Sequence, residues 1–185
     1  LAASFEITVT EHIISEMPKE ELQEMSSSAN TEEKTGEETG SGVASAATDG
    51  NSSTYWHSQW EGNHFVVSKE NPAVLTVDFG KDLQAGGFKF QQRSSNSNGI
   101  VQQLGYRVLD ADGNILEEKY DIAAKDTNNG AWNEVIFGQV SLARKIEIIV
   151  EQGQGGFAAI AEVLPLQAQK VAEKVNLEDV ELEVG

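Results

Sequence analysis

The chain contains no cysteine, so neither a disulfide framework nor thiolate chemistry is open to it. That absence does not assign a cytoplasmic setting, because bacterial surface proteins also lack cysteine. Positive charge is scarce: 13 Lys and Arg stand against 30 Asp and Glu, a formal net charge of −17. Such a field repels phosphate backbones and anionic lipid surfaces. Nucleic acid is therefore excluded as a natural partner, and divalent cations and neutral ligands are favoured. No apolar run approaches the roughly 18 residues needed to cross a bilayer. The longest apolar stretches, such as Ile146 to Val150 (broken by Glu147) and Phe157 to Ala161, have the length of strands, so no membrane insertion is expected. Histidines number three, His12, His57 and His64, and no Ser-His-Asp pattern, metalloprotease helix or phosphate loop is present. Paired carboxylates of the glycosidase kind are defined by distance in space, which a sequence does not carry. The expectation is a protein that is not an enzyme. The chain opens on Leu1 rather than Met, which reads as a piece cut from a longer protein, so the absence of a leader or anchor here means little.

What is present suits one full-sized domain with flanking segments: 185 residues, of which 39% are hydrophobic. Phe5 to Thr10 alternates apolar and polar residues and reads as a strand. Pro18 to Gly42 is polar and poor in large apolar groups, and two readings stand side by side. It is either a flexible linker, or a first strand around Leu22 to Ser28 followed by a solvated loop. From Val43 onward, short runs rich in Val, Ile and Phe recur between Gly, Asn and Asp clusters. The expected strands are Ala73–Phe79, Gly87–Arg93, Val101–Asp110, Ile115–Tyr120, Trp132–Phe137, Lys145–Val150 and Ala158–Leu164. Asp112-Gly113 signals a tight turn between two of them. Many short strands without a long amphipathic helix predict an all-β, antiparallel sandwich. Beyond Pro165, Gln167 to Val175 reads as a short helix and Asp179 to Val184 as a last strand. The boundaries expected are a strand or linker over 1–20, a sandwich over 21–166 and a tail over 167–185.

Two stretches carry chemistry. Ala46 to Thr54 concentrates small oxygen-bearing residues around Gly50, a loop able to curl carbonyl and side-chain oxygens around one point. Calcium asks for six to eight hard oxygen ligands and tolerates irregular geometry. Asp49-Gly50-Asn51 is equally an ordinary turn, and the stretch alone leaves both readings open. Tyr55-Trp56-His57-Ser58-Gln59-Trp60 is the second. In an extended run Trp56 and His57 point to opposite sides, which assigns Trp56 to the core and places His57 and Trp60 at the rim of a loop.

Asp49-Gly50-Asn51, Thr54 and Trp56-His57-Ser58 resemble the opening signature of the discoidin-like (coagulation factor 5/8 type C) family. Ala158 to Val163 resembles its closing strand. The resemblance runs from about Met25 to Leu166 and is nearest to the carbohydrate-binding modules of family 32. It implies a jelly-roll-like, galactose-binding-domain-like sandwich with a structural calcium. The ion would be held by the Ala46 and Asn51 carbonyls, Asp49, Thr54, the Ala161 carbonyl and Glu162. It further implies a shallow sugar site built from His57, Trp60, Arg93, Asn98 and Phe157, with Asn96 able to replace Asn98 if the loop register differs. A galactose-like ring offers an apolar face and a hydroxyl edge, which calls for aromatic walls with fixed donors and acceptors. The partners implied are glycans with terminal galactose-type or N-acetylhexosamine sugars. The setting implied is an extracellular or surface-bound bacterial protein with further domains. The competing reading is a protein-adhesion or purely structural module of the same fold.

Overall fold

A computed structural model describes residues 6–176. Nine strands run in chain order: β1 (Glu6–Glu16), β2 (Ser26–Ala29), β3 (Trp56–His57), β4 (Ala73–Gln91), β5 (Val101–Leu109), β6 (Ile115–Ala123), β7 (Trp132–Gly153), β8 (Ala159–Ile160) and β9 (Glu162–Asn176). Among the described residues the only helical pieces are three short 3₁₀ turns, at Leu22–Glu24, Ala44–Thr48 and Gln154–Gly156. Seven strands form one antiparallel sheet in the order β1-β9-β4-β7-β5-β6, with β2 on β4, while β3 and β8 make a separate pair.

The sheet curls into two layers because β4 and β7 each bend and pair with one another twice. Ala73–Asp78 pairs with Lys145–Val150, and Leu83–Gln91 with Trp132–Ala143. Four expected strands thus become two long ones. The bend in β4 depends on Gly80, whose φ is +77° and where an added Cβ would stand 2.4 Å from the Glu24 carbonyl oxygen. Glycine there lets the chain turn the corner without leaving the sheet. Alternation along Ala73–Phe79 sends Ala73, Leu75, Val77 and Phe79 inward. After the bend Phe88 and Phe90 face the same interior, where Phe88 and Phe137 meet Tyr106 from the opposite layer at ring-centroid distances of 6.3 and 4.8 Å. Trp56 is fully buried beside this core, its indole N–H donating to the Thr31 carbonyl at 2.8 Å.

Two expectations are corrected. Residues 167–175 continue β9 as strand rather than forming a helix, because β1 supplies a backbone partner from Glu16↔Leu166 to Glu6↔Asn176. A ladder of that length satisfies the amide groups that a helix would otherwise have to bond internally. The Pro18–Gly42 segment is not a linker: β2 pairs with β4, and the loop after it buries Thr31 and Glu33. The strand expected at Leu22–Ser28 is present only from Ser26, behind a 3₁₀ turn. The turn at Asp112-Gly113 forms between β5 and β6, with Gly113 N donating to the Asp110 carbonyl at 3.1 Å. The last expected strand, Asp179–Val184, lies outside the described residues.

Candidate functional site

At one end of the sandwich, loops from four parts of the chain enclose a shallow cavity of about 270 Å³ lined by Glu37, His57, Trp60, Arg93, Asn96, Asn98 and Phe157. All five residues singled out above, His57, Trp60, Arg93, Asn98 and Phe157, meet here, together with Asn96 and with Glu37, which sequence reasoning missed.

His57 lies at the base of the cavity and not at its rim. It is 2% exposed, because β3 pairs with β8 and draws the residue inward at His57↔Ala159. Its Nδ1 sits 2.7 Å from the Ser58 carbonyl oxygen. A carbonyl only accepts, so Nδ1 carries the proton and Nε2 is left as an acceptor. Burial pushes the imidazole pKa below its ordinary value, and the nearby Arg93 charge acts the same way. The Ser58 carbonyl and Glu37 pull against them without prevailing. His57 is therefore neutral at pH 7.

Glu37 holds the centre of the arrangement. Its Oε1 accepts the Trp60 indole N–H at 2.9 Å and lies 3.8 Å from His57 Nε2. Its Oε2 accepts the Tyr55 hydroxyl. Burial, and then that carboxylate, push the Tyr55 phenol pKa well up. The Tyr55 ring in turn carries the Arg93 guanidinium at 4.1 Å from its centroid. Arg93 is 5% exposed and donates from Nη1 to the Asn98 carbonyl at 3.0 Å, while its buried Nε has no partner. A buried, unpaired guanidinium donor is costly unless a ligand or water meets it.

The loops are fastened by a second buried carboxylate. Glu33, 2% exposed, accepts the backbone N–H groups of Trp60 and Glu61 on Oε2, both at 2.8 Å, and those of Gly36 and Thr35 on Oε1 at 3.2 and 3.3 Å. Burial opposes its charge, but the four donors outweigh it and hold its carboxyl down at about 2. The 33–37 loop and Trp60 are locked together in this way. On the other wall, Asn96 has a φ of +67° and its side-chain oxygen accepts the Asn98 N–H at 2.9 Å. Phe157 is half-buried, its ring 5.4 Å from that of His57. Trp60 keeps 38% of its surface exposed.

The oxygen-rich loop forms a second constellation. Asp49 Oδ1 accepts the Asn51 N–H at 2.8 Å, and Glu162 Oε1 accepts the same N–H at 3.0 Å, bringing two carboxylates together. Thr54 donates its hydroxyl to Asp49 Oδ2 and reaches the Asn51 carbonyl at 3.1 Å. Glu162 is 5% exposed, and burial, with the Asp49 carboxylate beside it, pushes its carboxyl up to about 8. Among the described residues no cationic side chain pairs with either acid. Ala46 lies within the 3₁₀ turn Ala44–Thr48 that ends just before Asp49, and Ala161 precedes Glu162. The donor set suits a hard cation. With no cluster of three or more acidic or His side chains among the described residues, such an ion would rely on backbone carbonyls as well.

The profile of the F5/8 type C domain matches residues 25–163. The chain belongs to that family. As an F5/8 type C domain it is 28% identical to the family 32 CBM from C. perfringens NanJ, a structure in complex with galactose, with a TM-score of 0.65 over 84% of this chain and 100% of that one. The C-terminal domain of a chitobiase from Bacteroides fragilis is 25% identical, with a TM-score of 0.66 over 82% and 97%. A third structure, CpGH89CBM32-5 from Clostridium perfringens, shares the fold at 22% identity and a TM-score of 0.67, covering 78% of this chain and 96% of that one. In sequence, 126 residues, 66% of the chain, are 30% identical to A type blood N-acetyl-alpha-D-galactosamine deacetylase of Flavonifractor plautii. The chain spans 15% of that relative's length.

Proposed function

We propose that this F5/8 type C domain is a non-catalytic carbohydrate-binding module that takes a terminal galactose-type or N-acetylhexosamine sugar in the cavity at the loop end. The observation that carries the reading is the convergence of aromatic surface, hydrogen-bond acceptors and the Arg93 guanidinium in one open, shallow space. Trp60 and Phe157 offer apolar surface to the C–H face of a pyranose. Arg93 donates to ring-edge hydroxyls, His57 Nε2 and Glu37 Oε1 accept from them, and Asn98 completes the edge. The similarity to a module in complex with galactose supports the choice of sugar. A site this open leaves most of the ligand in water, so a single contact has a Kd of roughly millimolar to high micromolar, about −4 to −6 kcal/mol. Attachment to a multivalent or catalytic bacterial parent, acting outside the cell, raises the effective strength.

A calcium ion at Asp49 and Glu162 completes the proposal. When bound it supplies positive charge to two adjacent carboxylates and to the Ala46, Asn51 and Ala161 carbonyls, so the early loop and the start of β9 are stapled together. Isothermal titration of the calcium-containing chain with galactose, N-acetylgalactosamine, N-acetylglucosamine and lactose tests the sugar reading. Saturable heat with at least one sugar, lost in Arg93→Ala at an unchanged fold, is the expected result. Equal heats in the parent and the variant would exclude this cavity as the sugar site.

A further inference from the structure

Phe157 forms one wall of the cavity. It follows Gly153-Gln154-Gly155-Gly156, and Gly155 and Gly156 both take positive φ, +72° and +78°. Gly155 suits glycine because of its positive φ, and an added Cβ would stand a tight 3.0 Å from Asn98 Oδ1 and 3.1 Å from Phe157 Cδ2. A glycine-rich approach restrains the following side chain weakly. What meets the ring from outside is His64, whose imidazole stacks on Phe157 at 4.6 Å between centroids and 28° between planes. The His57 ring lies nearby at 5.4 Å between centroids but tilted by 50°, so His64 is the imidazole that stacks on the phenyl ring. His64 has no hydrogen bond or ion pair of its own among the described residues, and it is exposed.

Its loop is nevertheless tied down. Phe65 N donates to the Gln59 carbonyl at 2.9 Å, Val67 N to the Gly156 carbonyl at 2.9 Å, and the Asn71 side-chain amide to the Val66 carbonyl at 2.9 Å. The 59–71 loop is thereby joined to the loop that carries Phe157.

From this geometry we infer that His64 is a positioning residue: it braces Phe157 from outside and holds the aromatic wall at the angle a sugar ring needs. The inference rests on the sugar reading of the cavity. It assigns the 59–71 loop a role in choosing the ligand, because the tilt of Phe157 decides which pyranose face can lie against it. His64 acts through the planar face it offers Phe157, not through a proton or a hydrogen bond to the sugar. Without it, the wall can swing on its glycine hinge, and part of the ordering of Phe157 has to occur on binding.

The test is a sugar titration of the full chain and of His64→Ala and His64→Phe, with Phe157 ring signals followed by NMR in the absence of sugar. His64→Ala is expected to bind about 3- to 10-fold more weakly, the range an aromatic pair supports. The planar replacement in His64→Phe is expected to restore most of the loss, and Phe157 ring signals to shift in His64→Ala alone. Unchanged affinity in His64→Ala overturns the inference. An equal loss in both variants overturns it too, because the imidazole would then be acting by hydrogen bonding. If the parent chain binds none of the sugars, the sugar reading fails on its own. The brace is then decided by the ring signals, which support it if His64→Ala frees Phe157 and overturn it if they do not move.

Discussion

Arg93 enters the cavity already committed on two sides, to the Tyr55 ring and to the Asn98 carbonyl, with Nε left unpaired. A lysine at this place keeps the charge and loses both the flat stacking surface and the fork of donors. Arg93→Lys is therefore expected to weaken sugar binding by about tenfold or more, read by calorimetric titration. Binding within twofold of the parent would remove Arg93 from the recognition set. His57 gives the site a pH response of definite sign. Its folded pKa lies below the ordinary histidine value, so the neutral ring and its contribution to stability are fully present above about 6.5. Both are lost as pH falls through the depressed folded value, where Nε2 turns from acceptor to donor. Sugar affinity is expected to hold constant from pH 8 to about 6.5 and to drop at lower pH. An affinity that rises on acidification would contradict the assignment of Nε2 as the accepting atom.

At the scale of elements, the loop after β2 matters more than its composition suggests. Glu33 accepts four backbone N–H groups, two from its own loop and two from Trp60 and Glu61, and so joins that loop to them. With its folded carboxyl held near 2 against an ordinary value of 4.5, its contribution is present above pH 4.5 and disappears as pH falls toward 2. Glu33→Gln is expected to cost about 1.5–3 kcal/mol at pH 7 and to flatten the acid limb of stability, measured by urea unfolding at pH 7 and pH 3. A parent and variant with the same pH dependence would place the acid sensitivity elsewhere. The short runs of Val, Ile and Phe were enough to read the strands, because a half-buried ladder imposes alternation. The fusion of four runs into β4 and β7 was not legible. It depends on Gly80 meeting the Glu24 carbonyl, two residues far apart in order. Glu33 and Glu37 were hidden for a similar reason. They stand in a Glu-, Thr- and Gly-rich stretch whose composition equals that of a linker, and only the approach of Trp60 and Tyr55 in space gives them roles. Trp60 and His57 were visible because two tryptophans flank a histidine within five positions.

For the molecule as a whole, β1 closing on β9 and the Asp49–Glu162 cradle both bind early chain to late chain. A net charge of −17 makes the compact state repel itself, and the divalent ion proposed at the two adjacent carboxylates would offset part of that. With calcium bound there at about one hundred times its Kd, the stabilisation would be about 2.7 kcal/mol, which for a domain of this size would raise Tm by roughly 5–10 °C. Excess chelator is expected to lower the melting temperature by that amount while the β-sheet signal stays intact. Asp49→Asn should abolish the difference. A melt indifferent to both calcium and chelator would argue that the loop is a hydrogen-bonded turn and no cation site.

The most direct test of the sugar reading follows the Trp60 indole N–H, which already donates to Glu37 inside the cavity, by two-dimensional NMR as galactose is added to the calcium-containing chain. The account predicts a saturable shift of that signal, with the buried Trp56 signal unmoved, and no shift in His57→Ala. A Trp60 signal that stays in place at tens of millimolar galactose, N-acetylgalactosamine, N-acetylglucosamine and lactose alike would contradict it.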